Sequence, residues 1–369
     1  MNDGEYCMTE IEEKCVECGQ CATSCGILTE SGQSPLAMAK RGITITEAFS
    51  CSLCGACEAA CPQGCSPKEM FAERRNEGVT KDEVDINEYR YMFPDRKNNV
   101  INVYRKYSGI DYSDIDSCRA AETCFFPGCT LMTYSPGLTR KIFQQLKNNC
   151  DSLSMWTECC GKPLDQMGLQ QRLKSAHDSL REFVQENHIK RIIVACPGCY
   201  YELLKIFKSC NVVIQTVYEV LKFSQQIASD SKYYAVHDSC PDRFVGKFGQ
   251  EVRQALEQCG FTTVEMTHNK VKTICCGSGG QLSHFRLDLT EQLVQLRQDE
   301  AKQAGADILV GYCLSCVLKY DTKTAEIPVT HALNLLLGLQ EDFHGAKERV
   351  KKMLSGPDGE KIWEEIMAD

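Results

Sequence analysis

The sequence predicts an α-helical N-terminal module followed by two homologous α/β halves that are related by a pseudo-twofold axis. Two identical runs of four cysteines lie within the first 61 residues, without any strand-like alternation around them. Beyond residue 123, short apolar segments rich in β-branched residues alternate with helical segments, as in parallel α/β units. A second cysteine pattern then occurs twice, at offsets of 111 to 117 residues, which indicates an internal duplication.

The composition indicates metal binding rather than disulfide formation. The chain has 369 residues, 25 of them cysteine, and 43% of its residues are hydrophobic, so it can build a core without disulfides. Its acidic first residues do not resemble a secretory signal, and no apolar run is long enough to span a bilayer. We therefore expect a cytoplasmic protein, with docking to a membrane surface left open. The net charge of −9 argues against a nucleic-acid partner.

The expected organisation has five parts. They are a helical module at 1–95, a linker at 96–122, a first half at 123–228, a second half at 229–340 and a C-terminal helix at 341–369. Within the module, Ser34-Pro35 and Ser66-Pro67 are typical helix starts. Buried strands are expected at Arg191–Ala195, Tyr233–Val236, Phe261–Val264 and Asp307–Val310.

Both N-terminal cysteine runs have the x2, x2, x3 spacing of bacterial ferredoxins. Three thiolates spaced by two residues surround one corner of a cubane cluster, and the fourth reaches the other cluster. The predicted ligand sets are Cys15, Cys18, Cys21 and Cys61 for the first [4Fe–4S] cluster, and Cys51, Cys54, Cys57 and Cys25 for the second. The module therefore resembles an all-helical ferredoxin. Structural zinc also uses paired Cys-x2-Cys units, but two complete copies of the cubane spacing argue against it.

The duplicated pattern consists of a single cysteine, a Cys-Cys-Gly triplet and a Cys-x2-Cys pair. We expect the two halves to pack face to face, with these ten cysteines near the shared seam. The first copy comprises Cys129, Cys159, Cys160, Cys196 and Cys199, and the second comprises Cys240, Cys275, Cys276, Cys313 and Cys316. Outside the cysteines, the repeat aligns Tyr218 with His331.

This pattern resembles the cysteine-rich CCG domains in the B subunit of heterodisulfide reductase. The N-terminal module resembles the C subunit of that enzyme, and the fusion of both resembles its D-type subunit, over about residues 10–340. The resemblance implies that each five-cysteine set binds a non-cubane [4Fe–4S] cluster. The cofactors would then be four [4Fe–4S] clusters, two cubane and two non-cubane. Taken alone, the residues also allow one ordinary cubane or a structural zinc in each half, with the spare thiols buried.

Two other features bear on chemistry. His237 lies three residues before Cys240 and is the one candidate for a catalytic residue, as donor of a proton to a leaving thiolate or of a hydrogen bond to a cluster sulfur. A purely structural histidine is the alternative. No GxGxxG motif opens a helix, so we expect no flavin or nicotinamide on this chain. Electrons must then come from a partner.

Two functions fit these observations. In the first, the chain is an oxidoreductase subunit of a heterodisulfide-reductase-like complex that reduces a small disulfide. Its partner is a flavoprotein resembling the A subunit, another dehydrogenase, a ferredoxin or a hydrogenase. In the second, it is an electron-transfer subunit of a glycolate, lactate or glycerol-3-phosphate dehydrogenase, or of a quinone-linked complex. Several proteins of the second group lack cysteines in one half, whereas this sequence lacks none, which favours the first function.

Overall fold

The structure is a computed structural model that describes residues 3–115, 121–150, 152–223, 231–322 and 325–368, with side chains from Met8 onward. Among the described residues, no helix has both the length and the apolar character needed to cross a bilayer.

The N-terminal module is helical, and its described part contains no strand. The two predicted helix starts are confirmed, because the hydroxyl of Ser34 accepts a hydrogen bond from the Ala37 amide and that of Ser66 accepts one from the Glu69 amide. The α-helices are α1 (Asp3–Lys14), α2 (Gly26–Ser31), α3 (Pro35–Arg41), α4 (Ile45–Phe49), α5 (Ala56–Ala60), α6 (Pro67–Thr80) and α7 (Val100–Tyr107).

The rest of the chain alternates strands and helices, as predicted. The first half contains β1 (Thr123–Phe126), α8 (Cys129–Tyr134), α9 (Pro136–Lys147), β2 (Leu153–Met155), α10 (Lys162–Gln166), α11 (Gln170–Glu186), β3 (Arg191–Val194), α12 (Pro197–Ile206), β4 (Val213–Thr216) and α13 (Val217–Val220). The second half contains β5 (Tyr233–His237), α14 (Lys247–Gln258), β6 (Thr262–Val264), α15 (Leu282–Phe285), α16 (Leu287–Gln303), β7 (Ile308–Gly311), α17 (Leu314–Tyr320), β8 (Val329–His331) and α18 (Ala332–Leu336).

The two halves have the same sheet topology. The first sheet has the order β2-β1-β3-β4 and the second has the order β6-β5-β7-β8, and every pairing is parallel. Strands β1 and β5 are buried throughout or nearly so, as expected for parallel sheets covered by helices. The prediction of two parallel α/β halves is confirmed. Their relation by a pseudo-twofold axis stays a prediction.

The sheet registers correct one detail of the repeat. Val194 pairs with Thr216 in the first half, and Gly311 pairs with His331 in the second. Thr216 and His331 are also the residues that cap the following helices, α13 and α18. The equivalent of His331 is therefore Thr216 and not Tyr218, because the sequence between the Cys-x2-Cys pair and the last strand differs in length between the halves.

Two segments differ from the simple elements expected for them. The expected linker contains α7, and the expected C-terminal helix is two helices, α19 (Phe343–Met353) and α20 (Gly356–Met367). The break falls at Leu354 and Ser355, and α20 then begins with Gly356, whose φ of +70° suits glycine, and Pro357, which cannot donate to a preceding turn. Helices α7 and α20 pack together, and Lys106 forms an ion pair with Glu365 between them.

A buried arginine joins the N-terminal module to both halves. Arg75 on α6 is fully buried, and its guanidinium lies 4.8 Å from the ring centroid of Phe49. It donates hydrogen bonds to four backbone carbonyls, which belong to Ala48 (2.9 Å), Cys51, Gln166 (2.6 Å) and Gly280 (2.9 Å). The first two carbonyls are in the module, Gln166 is in the first half and Gly280 is in the second.

Glycines allow the backbones to approach closely around this arginine. A Cβ at Gly168 would lie 2.8 Å from the carbonyl carbon of Arg75, and one at Gly279 would lie 2.7 Å from the carbonyl oxygen of Ser52. Such distances are too short for a side chain, so glycine is required at both positions. The module is therefore docked on the two halves by direct backbone contact.

We expect Arg75→Met to lower the free energy of unfolding by about 3 kcal/mol or more, because it leaves buried carbonyls without their charged donor. The measurement is urea unfolding of the anaerobically prepared full chain. Lys81→Met is the matched control, since Lys81 forms only an exposed ion pair with Glu77, and we expect it to cost less than about 1 kcal/mol. Equal losses in the two variants would contradict the role given to Arg75.

Candidate metal centres

The first N-terminal site gathers cysteines from both runs. A small cavity is lined by the four predicted ligands Cys15, Cys18, Cys21 and Cys61 and by the fifth cysteine Cys65. Cys65 is buried, and its amide donates to the Cys61 thiol across 3.3 Å. The sequence spacing does not include Cys65, so its position beside the set is a finding of the structure. Cys18 is exposed and gives this site its open side.

The second N-terminal site also combines the two runs. The Cys25 thiol lies among those of Cys51, Cys54 and Cys57, close enough for each to influence its neighbours electrostatically. These four cysteines line a cavity of about 440 Å³ that continues to Cys275 of the second half. Burial raises the pKa of the Cys51 thiol to about 11. A metal centre bound here must therefore displace a proton from this thiol.

The ten cysteines of the two halves lie at the carboxyl ends of the parallel strands. Cys196 follows β3 by two residues and caps α12, and Cys313 follows β7 by two residues and caps α17. The carboxyl ends of parallel strands meet at one edge of a sheet, which is where such folds build their sites. Helix N-termini favour negatively charged ligands such as thiolates.

Within each half, the five thiols form a row of hydrogen-bonding contacts. In the first half the order is Cys129, Cys159, Cys160, Cys199 and Cys196. In the second half the order is Cys240, Cys275, Cys276, Cys316 and Cys313. The two orders are equivalent position by position. The repeat seen in the sequence therefore corresponds to a repeated arrangement of side chains.

The second cysteine of each Cys-Cys-Gly triplet accepts two thiol hydrogen bonds. Cys160 accepts from Cys159 and Cys199, which holds the pKa of its thiol well below the ordinary value. Cys276 occupies the equivalent position, and hydrogen bonds from Cys275 and Cys316 hold its pKa well below the ordinary value too. These two positions favour a thiolate in both halves.

Two further contacts connect the sets to one another. The thiols of Cys196 and Cys313 hydrogen-bond across the seam between the halves. The Cys54 thiol of the N-terminal module contacts those of Cys240 and Cys275. The thiols thus form one continuous row from the module through the second half into the first. The spacing of cysteines in the sequence contains no signal for the Cys54 contact.

His237 is fully buried at the carboxyl end of β5. Its ring nitrogen and the thiols of Cys276 and Cys316 all lie within 4.8 Å of one another. Burial lowers the pKa of His237 well below its ordinary value, so the imidazole is neutral near pH 7. The structure thus places this residue against two predicted ligands. Its role as a proton donor stays a prediction.

The contacts of His331 indicate a structural role at the start of α18. Its Nδ1 accepts a hydrogen bond from the Leu333 amide at the start of α18, and burial lowers its pKa to about 4. Because Nδ1 accepts, this nitrogen is the unprotonated one. His331 is therefore a helix cap.

The donor sets fit iron–sulfur clusters better than zinc. The eighteen candidate ligands are all free thiols, and thiolates select iron–sulfur clusters, zinc or copper(I). Structural zinc takes four ligands, whereas each half brings five thiols into one row. Each N-terminal site includes the four thiols that a cubane requires, and Cys65 lies beside the first set.

Comparison with known proteins identifies the duplicated region. Residues 123–204 and 234–320 match the family model of the CCG cysteine-rich domain. The D subunit of the dihydromethanophenazine:CoB–CoM heterodisulfide reductase from Methanosarcina barkeri is 24% identical over 364 residues, covering 82% of this chain and 87% of that protein.

Two further relatives are named for other reactions, fumarate reduction and lactate utilization. The B subunit of the fumarate reductase (CoM/CoB) from Methanothermobacter marburgensis is 22% identical, covering 85% of this chain and 68% of that protein. Lactate utilization protein A 1 of Bacillus mycoides is 26% identical and covers only 52% of this chain, but 85% of its own length. The duplicated region therefore consists of two copies of the CCG cysteine-rich domain, and the chain is similar over 82% of its length to a D subunit of heterodisulfide reductase.

Proposed function

We propose that this chain is the iron–sulfur subunit of a heterodisulfide-reductase-like complex that reduces a disulfide to two thiols. The observation that carries the proposal is the continuous row of thiols from Cys54 through two complete five-cysteine sets. Cleavage of one S–S bond takes up two electrons and two protons. A partner flavoprotein or ferredoxin supplies the electrons, and water supplies the protons.

The residues that would hold the clusters follow from the four sets. Cys15, Cys18, Cys21 and Cys61 would hold one cubane, and Cys25, Cys51, Cys54 and Cys57 the other. Each five-cysteine row would hold a non-cubane [4Fe–4S] cluster. When bound, these clusters supply one-electron transfer over a range of potentials set by their surroundings.

The arrangement of the sets supports a direction for electron entry. Cys18 is exposed, so the first N-terminal site is the one that a partner can approach. Cys54 of the second N-terminal site contacts Cys240 and Cys275 of the second-half row. Electrons therefore enter the duplicated region through the second half.

The alternative is an electron-transfer subunit without substrate chemistry of its own. The similarity to lactate utilization protein A supports it, although that similarity covers only about half of this chain. A subunit that only transfers electrons has no need for a fifth cysteine in each half, since four thiolates hold an ordinary cubane. We therefore favour the first function.

We expect the anaerobically reconstituted full chain to contain about sixteen iron atoms, because four ligand sets are complete. Iron, sulfide and zinc analysis measures this directly. A value near eight iron atoms with stoichiometric zinc would mean that the duplicated halves are zinc sites, and it would contradict the proposal.

We expect small thiols to change the paramagnetic resonance spectrum of the oxidised protein, because a disulfide-cleaving site must bind the product sulfur. The change should be lost in Cys160→Ser or Cys276→Ser, which remove the central thiol of one row. It should persist in Cys18→Ser, because Cys18 belongs to the first N-terminal site and not to either five-cysteine row. A fully loaded protein that shows no response to thiols, but accepts electrons from a dehydrogenase, would support the alternative function.

A further inference from the structure

The two halves share their fold and their cysteines but differ in three residues beside the thiols. His237 ends β5 and Phe126 ends β1, and the registers pair them with the equivalent residues Gly311 and Val194. Ser239 precedes Cys240 as Gly128 precedes Cys129. Tyr320 and Leu203 each lie four residues after the last cysteine of their half. At all three positions the second half has a polar side chain where the first half has none.

His237 and Ser239 lie beside the Cys316 thiol, and Tyr320 contacts His237 and is close enough to Cys276 and Cys316 to be influenced by them electrostatically. The ring nitrogens of His237 are 3.3 and 3.4 Å from the Tyr320 hydroxyl, and the two rings meet edge to face at 4.8 Å. The Ser239 hydroxyl lies 3.9 Å from the Cys316 thiol. His237, Ser239 and Tyr320 are all fully buried. Water therefore does not compete for their hydrogen bonds.

The first half is apolar at these three positions, although the Thr130 side chain hydrogen-bonds the Cys129 thiol elsewhere in its row. Phe126 stacks on Trp156 with ring centroids 6.3 Å apart, and Leu203 is fully buried. Gly128 has a φ of +90°, and a Cβ there would lie 2.9 Å from the Cβ of Cys196. A serine equivalent to Ser239 therefore cannot fit in the first half. The difference is built into the backbone as well as into the side chains.

We infer that His237, Ser239 and Tyr320 give the second-half cluster a higher reduction potential than the first-half cluster, so that the second half is reduced first. The inference rests on the proposed function. Reduction adds negative charge to the cluster and its sulfurs, and hydrogen-bond donors stabilise that charge. Phe126, Gly128 and Leu203 supply no side-chain donor at the equivalent positions of the first half, which favours the oxidised state there.

Cations lie near the thiols of both halves. Lys162 influences the Cys160 thiol in the first half, and Lys319 influences the Cys276 thiol in the second. Arg243 and Arg297 also influence His237, and Arg297 forms an ion pair with the buried Glu300. Replacing only His237, Ser239 or Tyr320 leaves these cations in place, so the variants below isolate the contribution of the three polar side chains.

Reduction of the second-half cluster before the first-half cluster agrees with the position of the second half beside Cys54. The second-half row is the one that contacts Cys54, so it receives electrons first from the N-terminal module. A higher potential there retains the first electron until a second arrives. A two-electron cleavage fed by one-electron steps needs such retention.

The experiment is a redox titration of the full, cluster-loaded chain, followed by paramagnetic resonance. The native protein should show two distinct midpoint potentials for the non-cubane clusters, and Cys276→Ser should alter the signal of the higher one. His237→Phe introduces the first-half residue, and Tyr320→Phe and Ser239→Ala each remove only a hydroxyl. We expect each to lower the higher midpoint, by up to about tenfold in the reduction equilibrium, or about 59 mV. The lower midpoint should stay unchanged.

Phe126→Leu is the matched control in the first half, and it should leave the higher midpoint unchanged. If His237→Phe does not fold, Tyr320→Phe and Ser239→Ala still test whether the polar groups raise the higher midpoint. Equal native midpoints, or a shift of the lower midpoint alone in the second-half variants, would overturn the inference. Iron analysis distinguishes the failures, because a second half without a cluster refutes the proposed function itself, whereas loaded clusters with unmoved potentials refute only this inference.

Discussion

The arrangement of this protein depends on the hydrogen bonds from the buried Arg75 guanidinium to carbonyls of three different parts of the chain. An unpaired guanidinium would be costly in this interior, so the carbonyls of Gln166 and Gly280 must face the N-terminal module. The same guanidinium binds the carbonyl of Cys51, which belongs to the second N-terminal site. The contact that docks the module therefore also fixes the position of its thiols. The contact between Cys54 and the second-half row follows from it.

The internal duplication explains why the two halves arrange their thiols alike. The docking of the N-terminal module explains why Cys54 contacts the second-half row. Both halves form the same parallel sheet and bring their five thiols together in the same order. The second half contacts Cys54 through Cys240 and Cys275, and it has His237, Ser239 and Tyr320 where the first half has Phe126, Gly128 and Leu203. The half whose thiols contact Cys54 is thus also the half with His237, Ser239 and Tyr320. An electron-transfer chain that ends in a two-electron reaction benefits from such a division.

Much of this architecture could be predicted from the sequence because it depends on local patterns. Cysteine spacing, helix caps at Ser34 and Ser66 and alternating apolar strands are all encoded within a few residues. The contacts of Arg75 and Cys54 could not be predicted, since backbone carbonyls are present at every position and long-range docking has no spacing rule. The alignment of Tyr218 with His331 was wrong for a related reason, because an offset counted from cysteines does not register a change in loop length.

We propose that the N-terminal module passes electrons to the second half through Cys54. The most direct measurement is the magnetic coupling between reduced clusters in the full chain, observed by paramagnetic resonance with the first-half or second-half row disrupted in turn. We predict that coupling to the second N-terminal cluster persists in Cys160→Ser and is lost in Cys276→Ser. Coupling that is lost in Cys160→Ser and retained in Cys276→Ser would contradict the account.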